Sequence, residues 1–427
     1  MPKRLIGLAV LAMVAGFVVA PIQAEQSARS LTYWGWAYTI DCLKANMDEF
    51  AKAHPEIKVT FKTISPGDIY LRLPQALSTG IGLPDVVAIE DSHLPQMIST
   101  GGLLDLSALA GPYRTSFNSF KWAAGTSGGK VYAMPWDSGP VAIYYRRDVF
   151  ERAGLPSDHG SVAGLLDTWS DYARIAKTIK EKTGVYMLPL SATSNDGRLF
   201  EILLQQQGLG YFDRSGQVTI DSPPAQKTLE FLGKMYKDGL TFESVPWTEP
   251  WQAGIRDGAV ATVIGAAWMD GFIRNWIAPK TAGAWGVVPL PTWSKGVGVR
   301  TSNDGGTSLV IPKRGKQTDA AWSFVKFMLT RKESQVNMMR KYESFPALET
   351  AYADPLFGEA LPFYADQPIR KVFTDLARQI HTWQYTEFYP LANSICSAEI
   401  QSYLAGSKDA KSALSSAARN IRTKIGR

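Results

Sequence analysis

The chain has few of the groups that most often carry chemistry. Its 427 residues include two cysteines and four histidines. Cys42 and Cys396 stand far apart, with no Cys/His spacing of the kind that holds structural zinc, so no metal and no cofactor is expected. An oxidising compartment would permit a Cys42–Cys396 disulfide, but sequence separation does not give distance in space, and the pairing stays open. There is no Gly-x-x-x-x-Gly-Lys phosphate loop and no His-Glu-x-x-His. Net charge is only +6, and the 45 basic and 39 acidic residues are mixed along the chain. With no Lys/Arg stripe, a nucleic-acid partner is not expected. After the first twenty residues no run is apolar enough to cross a membrane, and no tract has the composition of a disordered segment.

Two catalytic readings are weighed against this background. Gly125-Thr-Ser127-Gly-Gly129 has the spacing of a serine-hydrolase elbow. That elbow needs a strand before it and a helix after it; here a strand follows, which favours a glycine turn. A glycoside hydrolase needs only two well-placed carboxylates, a geometry that sequence does not reveal. Product formation would distinguish such an enzyme from a protein that returns its ligand intact.

What is present begins at the N-terminus. Lys3 and Arg4 precede an uncharged apolar run, Leu5 to Ala20, and Pro21 to Ala24 lead into Glu25. A basic, apolar, small-residue order is the layout of a secretory signal peptide, here residues 1–24, with export to the periplasm. The cut is expected near Glu25. The apolar run is short for a membrane span, and no cysteine near the cut offers a lipid anchor. The remaining chain exceeds what one core usually supports, so two domains are expected. Thirteen Trp and seventeen Tyr are the other positive feature. Some fill cores, but flat amphipathic rings also suit the faces of sugars.

Leu31–Trp34, Lys58–Ile64 and Asp85–Ile89 read as strands, alternating with helices that begin near Asp41 and over Tyr70–Thr79. This alternation indicates a parallel sheet, with ligands at the carboxyl ends of its strands. The loops Trp34–Thr39 and Glu90–Ser92 lie there. Lys130–Trp136 and Val141–Arg146 are further strands, followed by helices near Trp169–Lys182, Leu199–Gln207 and Pro224–Lys237. The strands Ala259–Gly265, Gly286–Leu290 and Ser308–Ile311 come next, and the chain closes on an amphipathic helix with Leu414, Ala417, Ala418, Ile421 and Ile425 on one face.

Seven stretches in this order resemble the family 1 extracellular solute-binding proteins, the maltose-binding-protein type. They are Trp34-Gly-Trp36; Ala76–Gly80 with Leu83–Val87; Lys130–Pro135 with Tyr144–Phe150 and Ala153–Leu155; Gly258–Thr262 with Gly265 and Trp268; Gly286–Pro291; Asp304–Gly306; and Ala320–Met328. The resemblance spans nearly all of the chain after residue 24. It implies an α/β, two-lobed periplasmic-binding-protein fold of type II, with the ligand cleft between lobes and closure about a hinge. The first lobe would comprise 25–138 plus 290–341 and the second 139–289 plus 342–427. The crossings would lie near Asp137–Val141, Val287–Pro291 and Lys341–Phe345. The implied protein is a monomer that binds a carbohydrate and hands it to the membrane permease subunits of an ABC importer.

The candidate ligand-binding residues are Trp36, Tyr38, Asp91, Asp137, Asn195, Trp268, Asp304, Gly305, Gly306 and Trp383. Trp36 and Tyr38 follow the first strand and could stack on a sugar, or pack between helix and sheet. Asp91 could accept from hydroxyls with charge assistance, or cap the next helix, a task Ser92 could equally do. Asp137 could line the cleft floor or hold the turn before Gly139-Pro140. Asn195 and Asp196 sit in a polar loop whose chemistry is ordinary. Trp268 follows a buried strand and Gly265-Ala-Ala, where small residues let a ligand approach; the resemblance implies that its indole stacks on the sugar. Asp304-Gly-Gly306 resembles the family's glycine-rich contact, with open N–H donors, or is a tight turn. Trp383 and Tyr385 stand where the resemblance implies another cleft aromatic. Rival ligands are polyamines, metals and anionic sugars; Arg198 and Arg370 would be the anion's partners, with surface charge as the plainer reading.

Overall fold

Strands β1 (Arg29–Gly35), β2 (Ile57–Thr63), β3 (Val86–Glu90), β4 (Ala133–Pro135), β5 (Val141–Arg146), β6 (Thr262–Ala266), β7 (Trp285–Val288) and β8 (Thr307–Val310) build two separate sheets. The computed structural model describes Met1, residues 29–383 and residues 385–426. Apart from Met1, the expected signal segment 1–24 and the cut near Glu25 lie outside the described residues.

The first sheet has the order β2-β1-β3-β8-β4. β1 runs parallel to β2 and to β3, while β8 is antiparallel to both β3 and β4. Each parallel step is carried by a helix, as the strand–helix alternation requires. The helix Pro66–Thr79 is set by its ends: the Ser65 side chain accepts from Asp68 N–H, proline takes the first position, and Gly80 closes it with φ 80°. The helix expected from Asp41 instead begins at Ala37 and breaks after Lys44, resuming at Met47. The break follows a long-range demand: Asn46 is fully buried and donates to the Ser334 carbonyl at 3.0 Å. Two apolar clusters cover the faces of this sheet, one around Tyr33, Trp136 and Phe324, the other around Leu73, Val87 and Ile89.

The second sheet is antiparallel throughout. β5 lies at its centre, antiparallel to β6 on one side and β7 on the other. All six residues of β5 are buried, as suits a strand covered on both faces. One face packs on the helices Trp169–Thr183, Pro223–Lys237 and Ala410–Lys424; the other on Trp251, Tyr352 and Phe373. A capping box of Thr168 and Asp171 starts the first of these helices.

Three crossing strands join the lobes side by side. Val141 N–H donates to the Ser302 carbonyl (3.0 Å) and Asp304 N–H to that of Gly139 (2.8 Å), while Ser138 N–H donates to Phe345 (2.9 Å) and Ala347 N–H to Trp136 (2.9 Å). A Cβ on Gly139 would lie 2.0 Å from the Asp304 carbonyl oxygen, so only glycine lets these strands meet. The crossing expected near Val287–Pro291, and with it the first-lobe boundary at 290, is corrected by this pairing. Leu290 belongs to the second lobe's core, and Thr292 pairs with Thr168 of the same lobe. The chain crosses over residues 301–307 instead.

Cys42 and Cys396 are both free, each buried in a different lobe's core. The apparent elbow at Ser127 is a hairpin turn: Thr126–Ser127 pairs with Lys130–Val131, and Gly128 and Gly129 take φ 56° and 78°. Among the described residues no helix is long and apolar enough to cross a membrane.

Candidate functional site

Between the lobes, at the carboxyl end of β3, lies a small polar cavity. The first lobe supplies Glu90, Asp91 and Ser92. The helix Arg198–Gln205 supplies Arg198, Glu201 and Gln205. The crossing strand adds Asn303 to Gly306, and Tyr385 and Tyr389 complete the wall.

Each charge in this cavity has a protein partner. Asp91 is paired with the fully buried Lys121 and accepts from Ser308 Oγ at 2.8 Å. Burial pushes its carboxyl up to about 6, against the opposing pull of Lys121 and Ser308. Gly306 takes φ +110°, and a Cβ there would lie 2.7 Å from Lys121 Nζ, so glycine lets the crossing strand lie on this ion pair. Arg198 forms an ion pair with buried Asp304, whose carboxylate raises the guanidinium further above its ordinary value. Glu201 accepts from Tyr389 Oη at 3.0 and 2.8 Å and from Gln205 Nε2 at 2.8 Å. Burial pushes it up to about 7, although the Tyr389 bond and Arg198 pull the other way.

On the far side of the Arg198–Asp304 pair the cleft becomes aromatic. An open hollow is lined by Asp196, Arg198 and Asp304 and by Trp247, Trp251 and Trp268. Beyond Trp268 a third space lies between Tyr38 and Tyr342 of one lobe and Phe272, Asn275 and Trp276 of the other. Trp268 divides the two, its Nε1–H donating to the Asp304 carbonyl at 2.9 Å. The rings form a row: Trp247 to Trp268 is 6.0 Å, Trp268 to Phe272 5.8 Å and Phe272 to Trp276 5.1 Å between centroids. Trp276 is 74% exposed and Trp247 48%, unusual for indoles without a covering partner.

The structure brings together six of the ten sequence candidates. Asp91, Asp304, Gly305 and Gly306 line the polar cavity, Trp268 and Asp304 the aromatic one, and Tyr38 the third. Asp137 lies at the crossing just beneath, its carboxylate accepting from Thr307 N–H at 2.6 Å, which ties it to the neighbouring crossing strand rather than to the turn before Gly139-Pro140; burial raises its pKa. The other three stand apart. Trp36 precedes the helix Ala37–Lys44 and packs against both apolar clusters of the first lobe. Asn195 is exposed and lines none of the three cavities, although Asp196 beside it lines the second. Trp383 faces another groove, stacked on Phe120 at 6.2 Å, and it is its neighbour Tyr385 that reaches the polar cavity. Arg370 is no surface charge: it is buried and paired with Glu343 and Glu359.

Sequence reasoning missed Glu201, Tyr389, Trp247, Phe272 and Trp276. The helix Arg198–Gln205 offered one signal, since Glu201 and Gln205 fall on one face at i, i+4. The aromatic row offered another, because Trp268, Phe272 and Trp276 are each four residues apart.

Residues 36–335 match the model of the family described as bacterial extracellular solute-binding protein. The arabinooligosaccharide-binding protein of Bacillus subtilis (strain 168) is 27% identical over 341 residues, covering 77% of this chain and 76% of its own. A lactose-binding protein of Rhizobium radiobacter is 26% identical over 373 residues, covering 84% and 85%. A crystal structure of an extracellular solute-binding protein of family 1 superposes with a TM-score of 0.80 at 25% identity, over 92% of this chain and 99% of that one.

Proposed function

The chain belongs to the bacterial extracellular solute-binding protein family, and on that premise we propose that it is the periplasmic binding component of an ABC sugar importer. It captures a mono- or oligosaccharide between its lobes and delivers it, chemically unchanged, to the membrane permease. It acts as a monomer after export through a cleaved signal peptide, residues 1–24.

The observation that carries this reading is the composition of the cleft. A row of rings on one lobe faces polar side chains and open backbone on the crossing strand and the other lobe. Sugars present weakly apolar C–H faces and a rim of hydroxyls, which that pairing matches. Trp268 would stack on a sugar face, and Glu201, Asn303 and the Gly305–Gly306 backbone would meet hydroxyls. The carboxylates of Asp91 and Asp304 are already engaged, but each oxygen keeps a further lone pair for a hydroxyl donor. Arg198 and Arg370, the two cations weighed as partners of an anionic ligand, are both paired with carboxylates of the protein. A ligand touching both lobes binds the closed form better and shifts the population toward it, with the three crossing strands as hinge.

The test is thermal unfolding of the ligand-stripped mature protein against neutral sugars, sugar acids, polyamines and metal ions. A neutral saccharide at a hundred times its dissociation constant should add about 2.7 kcal/mol of stability and be recovered intact. Stabilisation by a polyamine, metal or anion alone would overturn the sugar assignment, and recovery of a cleaved saccharide would put an enzyme in its place.

A further inference from the structure

Glu343 breaks two local preferences at once. It closes the helix Lys332–Tyr342 with φ +56°, in the left-handed region that favours glycine, and it sets an acid at the negative end of the helix dipole. Such a conformation persists where the surroundings impose it. The side chain is nearly buried, at 8% exposure, and its carboxylate is held from the other lobe, by Arg274 and, at 3.5 Å, by Arg370. The helix it closes is anchored on the first lobe. Met338 lies in that lobe's core, Asn337 donates to Asn46 at 3.1 Å, and the Tyr342 carbonyl accepts from Tyr38 Oη at 3.2 Å.

Arg274 stands in sequence between two rings of the cleft, Phe272 and Trp276. The chain over Ile273–Ile277 forms one turn of π-helix, closed by Ala278 N–H on the Ile273 carbonyl at 2.9 Å. Single turns of this kind are rare and recur at functional sites. The guanidinium spans two carboxylates: Nε and Nη2 donate to Asp270 at 3.1 and 3.3 Å, and Nη2 also meets Glu343. Asp270 is itself buried and accepts from Tyr364 Oη at 2.7 Å. Gly271 gives Glu343 room, since a Cβ there would crowd its Cγ at 3.3 Å.

Tyr342 lies on one wall of the third hollow, Phe272 and Trp276 on the other. Glu343 directly follows Tyr342, and Arg274 comes midway between the two rings. The ion pair therefore joins the two walls, although Arg274 lines none of the three spaces. We propose that Arg274 is a positioning residue for saccharide capture: paired with Glu343, it fixes the separation between Tyr342 and the rings of Phe272 and Trp276, and so sets the width of the slot a ligand enters. This rests on the carbohydrate reading above, but the hold on Trp276 can be read without any ligand.

The experiment uses the mature protein labelled with 5-fluorotryptophan, the Trp276 fluorine signal being assigned by its loss in Trp276→Phe. In unliganded Arg274→Gln and Glu343→Gln that signal should shift and broaden, while those of Trp136 and Trp169, buried in the two lobe cores, stay in place. Calorimetric titration with α-1,5-arabinotriose and with lactose then reads affinity, which should fall about ten-fold in each variant, because the slot is no longer set before binding. The double variant Arg274→Gln/Glu343→Gln removes both charges of the pair together and serves where a single variant does not fold. It loses the same link, so its affinity should also fall about ten-fold rather than a hundred-fold. An unmoved Trp276 signal, or a moved signal with unchanged affinity for a sugar that the wild type binds, would overturn the proposal and leave the carbohydrate reading intact. If the wild type bound neither of these sugars nor any other neutral saccharide, the carbohydrate reading would fall and the positioning role with it, whatever the Trp276 signal did.

Discussion

The first lobe and the crossing strand meet the cleft with short polar segments, Glu90–Ser92 at the end of β3 and Asp304–Gly306. The second lobe meets it with a helix bearing Arg198, Glu201 and Gln205, and with the rings of Trp247, Trp268, Phe272 and Trp276. The contrast follows from how each surface is built. Where parallel strands end, helix starts and turns put backbone donors and small polar groups at the opening. In the second lobe the rings stand on the loop 245–248 and on the segments after β6, where Trp268, Phe272 and Trp276 recur every four residues. Rings supply contact area with little demand on direction, whereas hydrogen bonds fix orientation. The two sides therefore divide the work of holding a ligand, and each can be disturbed separately.

The sharpest break of the comparison is on the polar side. Lys121 is fully buried and Asp91 nearly so, and Lys121 also donates to the Thr307 carbonyl at 3.2 Å. Lys121→Met leaves a carboxylate in a dry site without its cation. Urea unfolding at pH 8 should show a loss of about 3–5 kcal/mol. Adding Asp91→Asn should recover part of it, because the unpaired charge is then gone. A loss below about 1 kcal/mol would mean that water reaches Asp91 and that the pair is no structural support of the cleft.

On the aromatic side the expected effect is smaller and of a different kind. Trp268→Ala should weaken saccharide binding by about 2–3 kcal/mol, read by titration, at a temperature where the variant is fully folded, with whichever sugar stabilises the wild type. If affinity held in the folded variant, the ring row would be excluded from the site and the division of labour would fail.

The two lobes also differ in how far their sequence discloses them. Strand–helix alternation revealed β1 to β3 within a residue or two, because parallel strands joined by local helices leave a local pattern. β5 was equally plain, but its antiparallel partners were not: β6 and β7 pair with it across more than a hundred residues of chain. The same holds for the hinge. The resemblance placed a crossing near Val287–Pro291, yet the crossing is set by residues 301–307 lying against 136–141, a contact with no local signature. At the site, Trp268 and Asp304–Gly306 were legible because small residues surround them. Trp247 was not, since its exposure depends on a backbone strain that the residue's identity argues against. Trp36 erred the other way: read as a loop residue, it is the start of a helix that begins earlier than Asp41, and its ring packs inward.

The finest test sets two acids of the same cavity against each other. Asp91 has a buried cation as partner; Glu201, on the second lobe, relies on the Tyr389 hydroxyl and Gln205, with Arg198 nearby bound to Asp304. Both carboxyls are raised by burial, Asp91 to about 6 and Glu201 to about 7. A carboxyl raised in the folded state contributes stability that is complete below its unfolded value and is lost as pH climbs through the folded one. For Glu201 that window runs from its ordinary value of 4.5 up to about 7. Glu201→Gln keeps an acceptor for Tyr389 but cannot ionise, so its stability should fall less than that of the wild type across this window. The difference between the two should widen by up to about 3 kcal/mol, measured by urea unfolding at half-unit steps of pH. Asp91 contributes a slope of the same sign in both proteins and cancels in the difference. Parallel curves would show that Glu201 is ionised in the fold much as in water, and the second lobe's polar contribution would then be as well compensated as the first lobe's.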